Sequence, residues 1–204
     1  LPNFNNTNGD ISDAIRFTLW FHFGSYLNYD FTNNLGMYVG LVNRNIGFIT
    51  KEGASTGLVS TMVKWKRRSY SLSLPLAIKI GSFNNEFYFF GGGQMEMLYH
   101  YKEKEFLPSG KRKYSEWYSD RVNHFVPSVF VGFTFKKGYG VKYTYTLENM
   151  MNKDYAYTDG AGLVVTPYKY MDSQLFYLSF FQMVSFDKEA FNKITEEKKI
   201  VASW

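Results

Sequence analysis

The chain has no cysteine, which excludes a disulfide framework and thiolate metal centres. It has no run of about 18 apolar residues, so no transmembrane helix is written in it. Its three histidines, His22, His100 and His124, form no ligand cluster of recognisable spacing, and no metal is expected. The glycine run at 91–93 precedes neither a helix nor a Lys-Ser/Thr pair. It reads as a packing or bending site and not as a phosphate loop, and no cofactor is expected. The opening LPNFNNTNGD has loop composition and lacks the character of an export signal, although an exported chain with its signal removed would look the same.

Aromatic residues are plentiful. Tyr 17 and Phe 20 help to bring the aromatic content to 20% of 204 residues, and these residue types favour strands and membrane interfaces. The formal charge of +5 permits contact with anionic surfaces without demanding nucleic acid, and no nucleic-acid partner is expected. The length suits one domain.

Residues 69–80, SYSLSLPLAIKI, carry the clearest pattern. Side chains alternate across a strand, so Tyr70, Leu72, Leu74, Leu76, Ile78 and Ile80 share one face, while Ser69, Ser71 and Ser73 share the other. At about 3.3 Å per residue and a tilt near about 40°, the apolar stripe is about 25 Å tall, the height of an outer-membrane barrel's apolar band. Half-buried soluble strands also alternate but rarely run so long.

Seven strands are predicted, at 15–30, 35–49, 66–80, 86–102, 125–135, 141–148 and 174–186, with Asn and Gly at the reversals. TKEGASTG and EKEFLPSGKRKYSEWYSD read as loops between them. Connections alternate short and long, as in barrels with tight periplasmic turns and longer outer loops. The fold class expected is therefore all-β, an antiparallel up-and-down transmembrane barrel over residues 1–186. Eight strands are expected, the first lying upstream of Leu1, or LPNFN being its stub. Residues 187–204 read as a charged periplasmic tail, with a short helix at 190–198 and a terminal Trp204 of undetermined role.

Apolar residues facing lipid place Arg16, His22, Arg44, Lys79, Gln94, Glu96, Lys142, Thr144 and Glu148 inside. Gly40, Gly92 and Gly132 fall on the same side, where room is short. An eight-stranded barrel is filled by its own side chains, and inward charges must pair. Leu72, Leu74, Leu76, Ile78, Val129, Val131 and Phe133 are expected to meet lipid. Trp65, Tyr70, Tyr99, Tyr101 and Trp117, with Tyr118, are expected to form an aromatic girdle.

RNIGFI (44–49), KRRSYSLSLPLAIKIG (66–81), FYFFGGG (87–93), YHYKEK (99–104), KRKYSEWYSDR (111–121) and FVPSVFVGF (125–133) together resemble a family of small Bacteroidota outer-membrane β-barrel proteins. The similarity covers roughly residues 15–186. It implies a membrane barrel in the bacterial outer membrane with a cleaved export signal, and it brings no catalytic residues with it.

His100 and His124 flank the long loop, with Ser119 and Asp120 nearby. Such a grouping can activate a hydroxyl at a rim, as in lipid-modifying barrel enzymes, but rim histidines are common and spacing fixes no hydrogen bonds. No catalytic residue is assigned. The basic KWKRR (64–68) and KRK (111–113) suit lipopolysaccharide phosphates or an acidic partner, but ordinary solvated charge near a membrane surface is the favoured reading. Three function classes follow. One is a non-catalytic barrel serving as subunit or anchor of a larger outer-membrane assembly for protein export or nutrient uptake. Its partners would be outer-membrane lipid, lipopolysaccharide and other outer-membrane or periplasmic proteins. The second is a small channel, disfavoured by inward Trp20, Tyr88 and Phe130. The third is a lipocalin-like binder, whose apolar face would turn inward. The first is expected.

Overall fold

The computed structural model describes residues 22–56, 59–85, 87–107 and 109–184, of which 52–62 by backbone alone. Arg16, Trp20, the strand expected upstream of Leu1 and the tail at 187–204 lie outside the described residues. The chain is all-β: an antiparallel sheet curled into a half-barrel. Its strands are β1 (Phe23–Asp30), β2 (Leu35–Thr56), β3 (Val59–Ser82), β4 (Phe87–Leu107), β5 (Gly110–Trp117), β6 (Phe125–Phe135), β7 (Tyr139–Thr146), the two-residue pair β8 (Tyr157–Thr158) and β9 (Val164–Val165), and β10 (Phe176–Gln182). The main sheet runs β1-β2-β3-β4-β6-β7-β10, with β5 added beside β4.

Alternation of side chains builds both faces of this sheet. In β6, FVPSVFVGFTF, the side chains of Val126, Ser128, Phe130 and Thr134 are buried while those of Phe125, Val129, Val131 and Phe133 are exposed. The curvature brings Arg44 of β2 close enough to donate to Tyr177 of β10 at 2.9 Å. In a flat sheet those strands, five steps apart, would stand about 24 Å from each other. Three short turns gather at one end. They are residues 31–34, where Thr32 Oγ1 accepts from Leu35 N–H at 3.0 Å, and the single turns of 3₁₀ helix at Phe83–Asn85 and Lys136–Gly138.

The opposite end differs from the sequence expectation. TKEGAST (50–56) is not a loop: β2 and β3 stay paired up to Thr56 and Val59. The charged stretch after residue 102 also stays in strands, β4 pairing with β5 from His100/Trp117 to Leu107/Gly110. Polar composition reads as loop, yet a ladder needs only backbone partners, and neighbouring strands supply them.

β4 changes partner half-way. Its lower part pairs with β6 as far as Met97/Phe125, and its upper part pairs with β5. At that switch the β3–β4 register slips: Tyr70 lies opposite His100 and Ser71 opposite Leu98, leaving Tyr99 as an extra residue. Such a bulge reverses which residues face inward. Even-numbered positions through Leu98 face the concave side; beyond it Tyr101, Glu103 and Glu105 do.

Candidate functional site

The concave side is layered. Nearest the short turns, Lys79 pairs with Asp30 at 2.7 Å and donates to Asn28 at 3.0 Å. Above them Tyr38, Phe90 and Phe130 pack as a plug, with Phe90 centred 5.8 Å from Tyr38 and 6.2 Å from Phe130. Inward glycines make room for it. A Cβ on Gly132 would stand 2.4 Å from the Phe90 ring and 2.4 Å from the Val141 carbonyl.

The middle layer centres on Glu96, which is fully buried. Its Oε1 accepts from Tyr177 at 2.5 Å, from Gln94 Nε2 at 2.6 Å and from Ser128 at 3.4 Å, and its Oε2 accepts from Ser71 at 3.1 Å. Arg44 Nη1 stands 3.8 Å from the same carboxylate. Charge-assisted bonds of this kind allow a buried carboxylate to persist. The serines of β3 are short enough to leave the carboxylate its place, and Ser69, Ser71 and Ser73 are all fully buried. Lys142 is the second cation of the layer. Among the described residues it has no carboxylate within ion-pair distance, and its ammonium sits 4.7 Å over the Phe130 ring. Ser73 Oγ, Gln94 Oε1 and Thr144 Oγ1 are buried there without hydrogen-bond partners among the described residues.

A third layer surrounds Glu103. It accepts from Tyr101 at 2.7 Å and from Arg67 Nε at 3.3 Å, while Arg67 Nη1 donates to Thr50 at 2.8 Å. Arg121 approaches Glu103 at 3.9 Å and donates to Tyr168 at 3.4 Å. The segment between β7 and β10 folds over this end, burying Met150, Met151, Tyr168 and Met171 against Leu98 and Val126.

Arg44, Lys79, Gln94, Glu96 and Lys142 thus all lie on the concave side. His22 stands exposed at the edge of the described residues. Glu148 does not join the interior. β7 ends at Thr146, whose hydroxyl accepts from Leu175 N–H at 2.7 Å, and Glu148 is exposed in the turn beyond, beside Asn123 and Asp154. On the convex side Leu74, Leu76, Ile78, Val129, Val131 and Phe133 are exposed and Leu72 is partly so.

Two girdle assignments are corrected. Tyr101 is buried in the interior because the bulge at Tyr99 reverses the alternation. Trp65 shares the inward parity of Arg67 and Ser69, and the Arg67 guanidinium lies 4.9 Å over its ring. Tyr70, Tyr99 and Trp117 do stack on the convex side with His100 among them, Tyr70–Tyr99 at 6.3 Å and His100–Trp117 at 4.1 Å.

The rim histidines form no triad with Ser119 and Asp120. Ser119 Oγ donates to Glu116, His100 Nε2 meets Ser115 Oγ at 2.9 Å, and His124 Nε2 lies 3.3 Å from the Tyr118 carbonyl. Partial burial, then Lys102 and Arg68, push the His100 imidazole below its usual value. Hydrogen bonds from Ser119 and Tyr114 hold Glu116 below the usual carboxylate range, against burial. Burial, and then the bond to Glu116, push the Tyr114 hydroxyl up to about 12.

The residues that sequence reasoning missed are Tyr177 and the Glu103 group. Tyr177 carried a signal, since it alternates with Phe176, Leu178 and Phe180. Arg67 also lay on the face of the serines. Glu103 carried none, because it lies beyond the bulge. No family model matches this chain, and neither a curated protein nor a solved structure matches it.

Proposed function

We propose that the protein is a closed, eight-stranded outer-membrane barrel of the small Bacteroidota type. Its role is that of a non-catalytic subunit or anchor in a larger outer-membrane assembly for protein export or nutrient uptake. The observation that carries this is the inversion of the two faces. The convex side presents Leu74, Leu76, Ile78, Val131, Leu178 and Phe180, each more than half exposed. The concave side is tied by buried charge around Glu96 and Glu103. Water favours the opposite arrangement, and lipid favours this one. A lipocalin-like binder would need an apolar concavity, and here that side holds buried Arg44, Lys79 and Lys142. A channel would need an open lumen, whereas the Tyr38–Phe90–Phe130 plug crosses it. The three short turns lie at the periplasmic end in this reading, and the long hairpins β2–β3 and β4–β5 stand outside the cell.

The test is gentle detergent extraction of tagged protein from its native outer membrane, followed by size separation and mass spectrometry. A partner held at fixed stoichiometry through two successive separations supports the subunit role. A barrel that migrates alone at its own mass contradicts it.

A further inference from the structure

The extended hairpins separate their charges by face. On the concave side Arg67, Arg112 and Arg121 meet Glu103 and Glu105, with Arg112–Glu105 at 3.8 Å. The convex side is basic. Its register places Lys51 opposite Lys64, Arg68 opposite Lys102, and Lys104 opposite Lys113. Lys111 lies on the same face at the hairpin end, opposite Phe106. No Asp or Glu occupies this face among the described residues of the four strands. Like charges directly opposite one another destabilise a sheet, and here three such pairs lie close together. An anion laid across the rows would remove that cost.

Position along the strands indicates which anion. Reading upward on the convex side of β3, the chain passes Ile78, Leu76, Leu74 and Leu72, then Tyr70 in its stack with His100 and Tyr99, then Arg68, Lys66 and Lys64. Apolar, aromatic and basic bands therefore follow in that order on one surface. With about 3.3 Å per residue and a tilt near about 40°, the cations stand about 5–15 Å above the Tyr70 ring. Interface aromatics lie at headgroup level, and cations just beyond them meet lipid phosphates. Lys102 also sits 5.2 Å from the Tyr70 ring, so the basic and aromatic bands adjoin. The positive field is felt by His100, whose imidazole is held below its usual value by burial and then by Lys102 and Arg68.

We infer that the convex face of β2–β5 above the Tyr70–His100–Trp117 stack binds the phosphates of an outer-leaflet glycolipid of the lipopolysaccharide type. This rests on the membrane-barrel reading. The probe is bis-phosphorylated lipid A, compared with the same lipid after dephosphorylation, added to detergent-solubilised full-length protein and read by native mass spectrometry. The variant combines Lys64→Gln, Arg68→Gln, Lys102→Gln and Lys104→Gln. Removing these charges relieves repulsion, so the fold is expected to survive. Lys136→Gln, at the short-turn end, is the control. All proteins are also tested for insertion into phosphatidylcholine vesicles by protease protection.

Retention of the phosphorylated lipid is expected to fall about tenfold or more in the fourfold variant and to be unchanged in the control. Equal retention by variant and wild type, or equal retention of the dephosphorylated lipid, overturns the assignment while insertion leaves the barrel standing. Failure of the wild type to insert overturns the barrel reading itself.

Discussion

The Tyr177 hydroxyl of β10 donates to Glu96 of β4 at 2.5 Å and accepts from Arg44 of β2 at 2.9 Å. Three strands that are not neighbours in the sheet are therefore joined through one phenol. The carboxylate that it touches also offsets the buried cation of Arg44.

Glu96→Ala is expected to be severely destabilising, because it strands the Arg44 cation and the hydroxyls of Ser71 and Ser128. Breaking a buried pair costs about 3–5 kcal/mol. Tyr177→Phe removes the hydroxyl's bonds to Glu96 and to Arg44, each worth about 1.5–3 kcal/mol. Lys142→Met takes away a buried cation without an ionic partner among the described residues, and is expected to be neutral or stabilising. Urea unfolding in detergent, followed by tryptophan emission, ranks the three; a destabilised Lys142→Met would contradict this account of the layer.

Ser71 and Ser73 differ although they are two residues apart on one face. Ser71 donates to Glu96, whereas Ser73 Oγ has no hydrogen-bond partner among the described residues. Ser71→Ala is expected to cost about 1.5–3 kcal/mol, the worth of a hydrogen bond to a charged group. Ser73→Ala is expected to be silent or slightly stabilising. The same unfolding experiment separates them, and equal losses would mean that the pairing with Glu96 contributes nothing.

The plug depends on an absent side chain. Gly132→Ala would drive a methyl to 2.4 Å from both the Phe90 ring and the Val141 carbonyl. The ring can turn, but the carbonyl belongs to the ladder. Overpacking of this kind costs about 1–3 kcal/mol. A lowered unfolding midpoint is expected, with partial recovery in Gly132→Ala/Phe90→Leu. Unchanged stability in the single variant would show that the sheet gives way freely there.

Acid is expected to loosen the corner after β5. Hydrogen bonds from Ser119 and Tyr114 depress the Glu116 value in the folded state, so its ionised form stabilises the corner. That contribution is fully present above the unfolded glutamate value of about 4.3 and is lost as pH falls through the lower folded value. Protection of the Tyr118 amide, which donates to the Tyr99 carbonyl at 2.9 Å, is expected to hold above about pH 4.3 and to drop as the pH falls below it, after correction for intrinsic exchange. Glu116→Gln should lose the pH step. A step that persists in that variant would assign it to another group.

These same residues show how far the sequence could be read. The alternation of serine with leucine in β3 gave both faces correctly from Ser69 to Ile80, because period-two patterning survives wherever a strand is regular. Tyr101 was misplaced because one extra residue at Tyr99 reverses the parity, and a bulge formed where β4 changes partner has no local sequence signature. Trp65 was misplaced for a different reason: its aromatic character outweighed a parity shared with Ser69 that was plain to see. Lysine-rich hairpins read as loops since their composition resembles solvated chain, whereas their order comes from neighbouring strands. Glu148 kept the right parity but fell two residues past the end of β7.

Spin labelling of Leu74, Leu76 and Ile78 tests the central claim most directly, and a chain without cysteine needs no background substitution. Each site is changed singly to cysteine, labelled, and reconstituted in phosphatidylcholine vesicles beside a label at Lys113 in the β4–β5 hairpin. Collision rates are then measured with oxygen and with a water-soluble nickel complex. If the convex face meets lipid, labels at the three β3 sites collide with oxygen and scarcely with nickel, while Lys113 shows the reverse. Nickel collisions at Leu76 as frequent as those at Lys113 would contradict the membrane barrel.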